Sequence, residues 1–143
     1  MHLLVFTDAG ARGNPGPAAF AYVLSTQEGK MLKEQAGFIG IATNNEAEYR
    51  GLIAGLEEAR RVGAEEVTVT MDSELVVNQM IGKYRVKAVN LLPSYEKAKE
   101  LVSCFSKTNI VHASREHPTI RRADFLVNQE LDMMEMAQKI RKR

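Results

Sequence analysis

The chain has 143 residues, 45% of them apolar and 26% charged, with a formal net charge of +1. That size and composition fit one domain with a hydrophobic core, residues 1–143 as a single unit, and no apolar run approaches the roughly 20 residues of a membrane span. A globally basic nucleic-acid-binding surface is excluded, so any such binding must come from local clusters, and the lone Cys104 excludes an internal disulfide.

The sequence opens directly on a strand pattern with no leader segment, which gives the expectation of a cytoplasmic protein without membrane attachment, and of a monomer. Three strands are predicted first, His2 to Thr7, Ala18 to Ser25 and Met31 to Ile39, with the polar, glycine-containing Gln27–Lys30 as a hairpin connection. From Asn45 to Val62, Tyr49, Leu52, Ile53, Leu56 and Ala59 recur at helical spacing, and Gly63 ends the run. A buried-type strand, Val67 to Met71, precedes a helix carrying Leu75, Val76, Val77, Met80 and Ile81 that stops at Gly82. The basic segment Lys83–Lys87 reads equally as a solvated loop and as a duplex-contacting surface.

Leu92, Tyr95, Ala98, Val102 and Phe105 define a further amphipathic helix, and the spacing assigns Cys104 to the core beside them. Ile110 to Ala113 is a short strand, and a loop from Ser114 to Arg122 leads into a last helix with Ala123, Leu126, Val127, Leu131 and Met134 on one face. Met133, Met134 and Met136 are read as packing residues, and residues 136–143 as a basic tail that frays and adds weak attraction for phosphate. Strands one and four are expected to pair at the sheet centre, where strand ends diverge and ligands gather.

Four acids stand out within this order. Asp8 closes the first strand before a glycine-rich turn, and Asp72 closes the fourth strand before a helix. Glu48 and Asp124 lie in the first turns of two helices. Each alone reads as a turn or cap residue, since carboxylates are common at such places. Together they could hold two hard cations, which take carboxylate oxygens and keep water or phosphate in the remaining positions. Two such ions about 3.5–4 Å apart suit phosphodiester cleavage. Glu46 and Glu74 are weaker candidates, Glu46 because two residues from Glu48 on a helix is a different face.

The surrounding residues resemble type 1 ribonuclease H. Thr7-Asp8-Ala9-Gly10 with Gly13-Asn14-Pro15-Gly16-Pro17 is similar to its first signature, and Thr43-Asn44-Asn45-Glu46-Ala47-Glu48 to its second. Asp72-Ser73-Glu74 with Val76-Val77 is similar to the third, and Arg122-Ala123-Asp124-Phe125-Leu126-Val127-Asn128 to the fourth. The absence of a long basic insertion between Ile81 and Leu91 resembles the compact archaeal-type branch. The resemblance implies an α/β ribonuclease H-like fold: a mixed five-stranded sheet, three antiparallel strands then two parallel, with helices on both faces.

It also implies an endoribonuclease that cuts the RNA strand of RNA/DNA hybrids, leaving 5′-phosphate and 3′-hydroxyl ends, with two Mg2+ ions or with Mn2+ as substitute. Asp8, Glu48, Asp72 and Asp124 would ligate metal. Substrate contacts would come from Gly10, Asn14, Thr43, Asn44, Asn45 and Ser73, with Thr43 and Asn14 seating a DNA phosphate. Double-stranded RNA stands as a second candidate substrate. Two departures concern the loop before Asp124: Ser114 aligns with a His of bacterial relatives, and Ile120 stands where an Asn is usual.

Arg115, a permanent cation, is therefore assigned a catalytic part in that loop ahead of His117, which precedes a proline and reads as structural. A non-catalytic binding module on the same fold would have lost at least one acid, and none is missing. A nucleotide-binding protein would show a G-x-G-x-x-G or P-loop after a strand, and none is present.

Overall fold

The computed structural model describes residues 1–142. Its elements are β1 (His2–Ala11), β2 (Gly16–Thr26), β3 (Met31–Ala42), α1 (Asn44–Val62), β4 (Glu66–Met71), α2 (Glu74–Met80), a 3-10 turn (Val89–Leu91), α3 (Leu92–Val102), β5 (Lys107–His112) and α4 (Pro118–Arg141). The strands form one sheet in the order β3-β2-β1-β4-β5. β1, β2 and β3 run antiparallel in turn, whereas β1–β4 and β4–β5 are parallel. This is the mixed sheet the sequence predicts.

Side chains alternate across a strand, so each strand feeds two cores. Leu3, Val5, Tyr22, Leu24, Val67 and Val69 pack with Tyr49, Leu52 and Leu56 of α1 and with Ala98 and Leu101 of α3 on one face. Phe6, Ala19, Ala21 and Val23 meet Ile120, Ala123, Leu126, Val127 and Leu131 of α4 on the other. Alanines on β2 let α4 lie close to the sheet. On the opposite face glycines let α1 approach closely: a Cβ at Gly55 would stand 2.6 Å from Val5 Cγ1, and one at Gly51 would stand 3.3 Å from Phe20 Cβ.

The start of α1 is fixed by a reciprocal cap. Thr43 Oγ1 accepts from Glu46 N at 3.1 Å, and Glu46 Oε1 accepts from Thr43 N at 2.8 Å. Its end is Gly63 at φ 98°, a left-handed position that suits glycine. Glu46 therefore spends its carboxylate on the helix terminus. Among the described residues no helix is long and apolar enough to cross a membrane.

Several local expectations are corrected. The first three strands are longer than periodicity indicates, because the glycine-rich turn pairs nearly to its tip, Ala11 opposite Ala18, and β3 pairs on to the start of β2, Ala42 opposite Gly16. Asp8 thus lies inside β1. α3 stops at Val102 and not near Phe105, so Cys104 falls in the following turn and is exposed, while Phe105 reaches back into the core. α4 begins at Pro118, within the segment expected to be loop, because proline is preorganised for a first helical turn and His117 caps it, Nδ1 accepting from Thr119 N at 3.1 Å.

Met133 and Met136 are exposed at 61% and 59%, pointing away from the sheet and not packing. The helix continues to Arg141 through residues expected to fray, with Lys139, Ile140 and Arg141 exposed, and Arg143 of the expected tail lies outside the described residues. Lys83–Lys87 forms no helix or strand, and its three basic side chains are exposed.

Candidate active site

Parallel register brings the first two acids together. Thr7 and Met71 are the last residues paired between β1 and β4, and Asp8 and Asp72 directly follow them. Glu48, one turn into α1, is lowered onto the same strand ends by the glycine contacts that seat that helix. Ligand oxygens of Asp8, Glu48 and Asp72 all lie within 4.8 Å of one another. Asp124, exposed on the second turn of α4, stands outside this trio and faces the same cavity of about 380 Å³. All four predicted acids therefore converge, three tightly and one from the rim.

The cluster is electrostatically unfavourable by itself. Burial, then repulsion from Asp72, pushes the Asp8 carboxyl up to about 8, and burial with repulsion from Asp8 and Asp72 raises Glu48 well above the ordinary carboxylate range. Glu48 Oε2 is buried without a hydrogen-bond partner. A buried acceptor left unpaired costs about 1–3 kcal/mol, so this atom marks a position for a group from outside the chain. An all-carboxylate donor set fits a hard divalent cation such as Mg2+ or Mn2+. Within the chain, Arg115 gives partial relief: its Nε donates to Asp72 Oδ2 at 3.1 Å while the side chain stays 87% exposed.

The predicted substrate residues ring the same opening. Gly10, Asn44, Asn45 and Ser73 line the cavity. Asn14 Oδ1 accepts from Asn44 N at 3.0 Å and Asn44 Oδ1 accepts from Ala11 N at 2.9 Å, which ties the β1–β2 turn to the start of α1. Thr43 caps α1, and Ser73 Oγ caps α2 by accepting from Val76 N at 3.3 Å. Asn14 and Thr43 are set beside the cavity and do not line it.

The loop residues divide as their chemistry suggests. His117 caps α4 and packs against Phe6, with ring centroids 5.2 Å apart. Ser114 Oγ accepts from Glu116 N and shapes the turn, while Ile120 is 1% exposed in the α4 core, away from the cavity. Two polar cavity residues had no assigned role in the sequence, Arg12 and Asn128. The i, i+4 spacing of Asp124 and Asn128 was a readable signal; the place of Arg12 was not, because its partners lie more than 110 residues away.

Residues 6–130 match the family described as reverse transcriptase-like. The bifunctional protein Rv2228c of Mycobacterium tuberculosis is 46% identical over 133 residues, covering 92% of this chain and 36% of that protein. The solved N-terminal RNase H domain of Rv2228c superimposes with a TM-score of 0.90 at 43% identity, covering 96% of this chain and 98% of that domain. RNase H1 from the archaeon Halobacterium salinarum superimposes with a TM-score of 0.87 at 38% identity, covering 92% and 98% of the two chains. The chain belongs to the type 1 ribonuclease H family. It spans about a third of the length of the mycobacterial relative. A further ribonuclease H, LC11-RNase H1, has been solved in complex with an RNA/DNA hybrid, and this chain resembles it with a TM-score of 0.82 at 41% identity over 89% of its length and 94% of that chain.

Proposed function

We propose that this ribonuclease H family chain is a divalent-cation-dependent endonuclease that hydrolyses the RNA strand of RNA/DNA hybrids, leaving 5′-phosphate and 3′-hydroxyl ends. The observation that carries the reading is the convergence of Asp8, Glu48 and Asp72 within 4.8 Å, with one buried oxygen of Glu48 unpaired. Bound Mg2+ or Mn2+ would supply a water of lowered pKa and stabilisation of the departing 3′ oxygen. Asp8, Glu48 and Asp72 would hold the more buried cation position, and Asp8 with Asp124, whose charges repel each other, would complete a second at the rim.

Arg115 would exchange its contact with Asp72 for the scissile phosphate, since a guanidinium stays charged and binds phosphate oxygens in a planar fork. Asn45 and the peptide groups around Gly10 would read the RNA 2′-hydroxyl, which both donates and accepts. Asn14 and Thr43, beside the cavity, suit contacts with the DNA backbone that position and do not select sequence. The likeness to a ribonuclease H crystallised with hybrid supports that substrate class. A domain of this kind would act alone as a monomer.

One panel tests the reading. Labelled RNA/DNA hybrid, double-stranded RNA, double-stranded DNA and single strands are incubated with Mg2+ or with Mn2+, and the product ends are mapped. Cleavage confined to RNA in the hybrid, with 5′-phosphate products, is expected. Cleavage of DNA, or RNA products ending in 2′,3′-cyclic phosphate, would overturn it.

A further inference from the structure

Asp124 differs from the other three acids in being exposed, and among the described residues its carboxylate has one hydrogen bond, with a residue one turn further along α4. Asn128, one turn later, donates from Nδ2 to the Asp124 backbone O at 3.0 Å and to its Oδ1 at 3.4 Å. The same amide faces Arg12 on its other side, Oδ1 accepting from Arg12 Nη2 at 3.3 Å. A guanidinium only donates, so Asn128 must turn its oxygen to Arg12, and its NH2 is then committed to Asp124.

Arg12 is itself held. Its Nη1 donates to Glu135 Oε1 at 2.7 Å, and its Nη2 pairs with Asp132 Oδ1 at 2.8 Å and reaches Asn128 O at 3.4 Å. It sits in the β1–β2 turn, whose backbone closes through Arg12 N donating to Pro17 O at 2.8 Å. The turn that carries Asn14 is thereby clamped to the helix that carries Asp124. The chain of contacts runs from Asp132 and Glu135 through Arg12 and Asn128 to the carboxylate at the rim of the cavity.

We propose that Asn128, oriented by Arg12, is a positioning residue that presets Asp124 for the outer cation, turning Oδ1 toward the amide and offering Oδ2 to the metal. The inference rests on the cation-dependent reading of the site given above. A carboxylate already in its ligating rotamer binds without first losing side-chain freedom. Partners that orient metal ligands typically change metal affinity by about 10–100-fold when removed, and the long bond to an exposed carboxylate places this one near the lower figure.

The test is a double-mutant cycle of Asn128→Ala with Asp124→Asn, read by calorimetric Mn2+ titration of the substrate-free protein and by the Mn2+ dependence of hybrid cleavage. Asn128→Ala is expected to weaken Mn2+ binding and raise the half-activating Mn2+ concentration by about tenfold, and to do nothing further once Asp124 is Asn. Arg12→Ala is expected to act in the same direction, more weakly, and to add nothing to Asn128→Ala. Arg12→Lys should recover part of the loss. An unchanged Mn2+ dependence in Asn128→Ala, or an equal loss on the Asp124→Asn background, overturns the proposal. If Asn128→Ala does not fold, as seen by thermal melting, the Arg12→Ala and Arg12→Lys pair decides the same question. Failure of the wild-type protein to cut hybrid would refute the functional reading, while the Mn2+-binding cycle would still report on Asn128.

Discussion

Replacing Asp8 with Asn is expected to stabilise the cation-free protein while removing its cleavage activity. In the folded chain the Asp8 carboxyl is pushed up to about 8 from an ordinary value of 3.8. Between those values the unfolded chain ionises this group and the folded chain keeps the proton, so stability is lost as pH rises from about 4 to about 8. A gap of about four pH units at about 1.4 kcal/mol each sets a ceiling near 6 kcal/mol. Glu48 and Asp72 share the same repulsion and Arg115 offsets part of it, so removing one charge should recover about 2 kcal/mol at pH 8. For a chain of this size that is a rise in Tm of about 6 °C. Thermal unfolding in EDTA at pH 8 and pH 4.5, followed by circular dichroism, measures it. Asn keeps the shape of Asp, so the gain should shrink at pH 4.5, which lies so little above the ordinary carboxyl value of 3.8 that the unfolded chain gains little free energy by ionising the group. Added Mg2+ should raise the wild-type Tm more than that of the variant. A variant no more stable than wild type at pH 8, or stabilised equally at both pH values, would refute the account of the cluster.

Arg115→Ala should lower turnover on hybrid by about tenfold across pH 6 to 9, whereas His117→Ala should cost about 1 kcal/mol of stability through the lost cap and leave the pH profile of cleavage unchanged. Steady-state rates and denaturant titrations of both variants separate the two roles. Thr43→Ala combined with Asn14→Ala should raise KM for hybrid more than it lowers kcat, because it loosens the α1 cap and its tie to the β1–β2 turn without touching the acids; a selective loss on hybrid over double-stranded RNA would identify contact with the DNA strand. Gly55→Ala should destabilise by about 1–3 kcal/mol, since its Cβ would stand 2.6 Å from Val5 Cγ1, and should lower kcat as α1 carries Glu48 away from Asp8.

The sequence pattern by itself determined the antiparallel first three strands, the parallel unit after them and the pairing of β1 with β4, from strand-length apolar runs and from Gly63 after a helical period. The four acids stood out at strand and helix ends, and the resemblance to ribonuclease H in the residues around them joined them into one site. The pattern left α4 beginning too late and Cys104 in the core, because periodicity does not report where a cap such as His117 starts a helix or where α3 breaks at Val102. Only the tertiary structure decided the unequal standing of the acids. The β1–β4 register and the close approach of α1 at Gly55 make Asp8, Glu48 and Asp72 a tight trio, while Asp124 stays at the rim in contact with Asn128. The part of Arg12 was equally invisible in one dimension, since its partners Asp132 and Glu135 come within reach only when α4 crosses the sheet, and hydrogen bonds of that separation leave no period in a sequence.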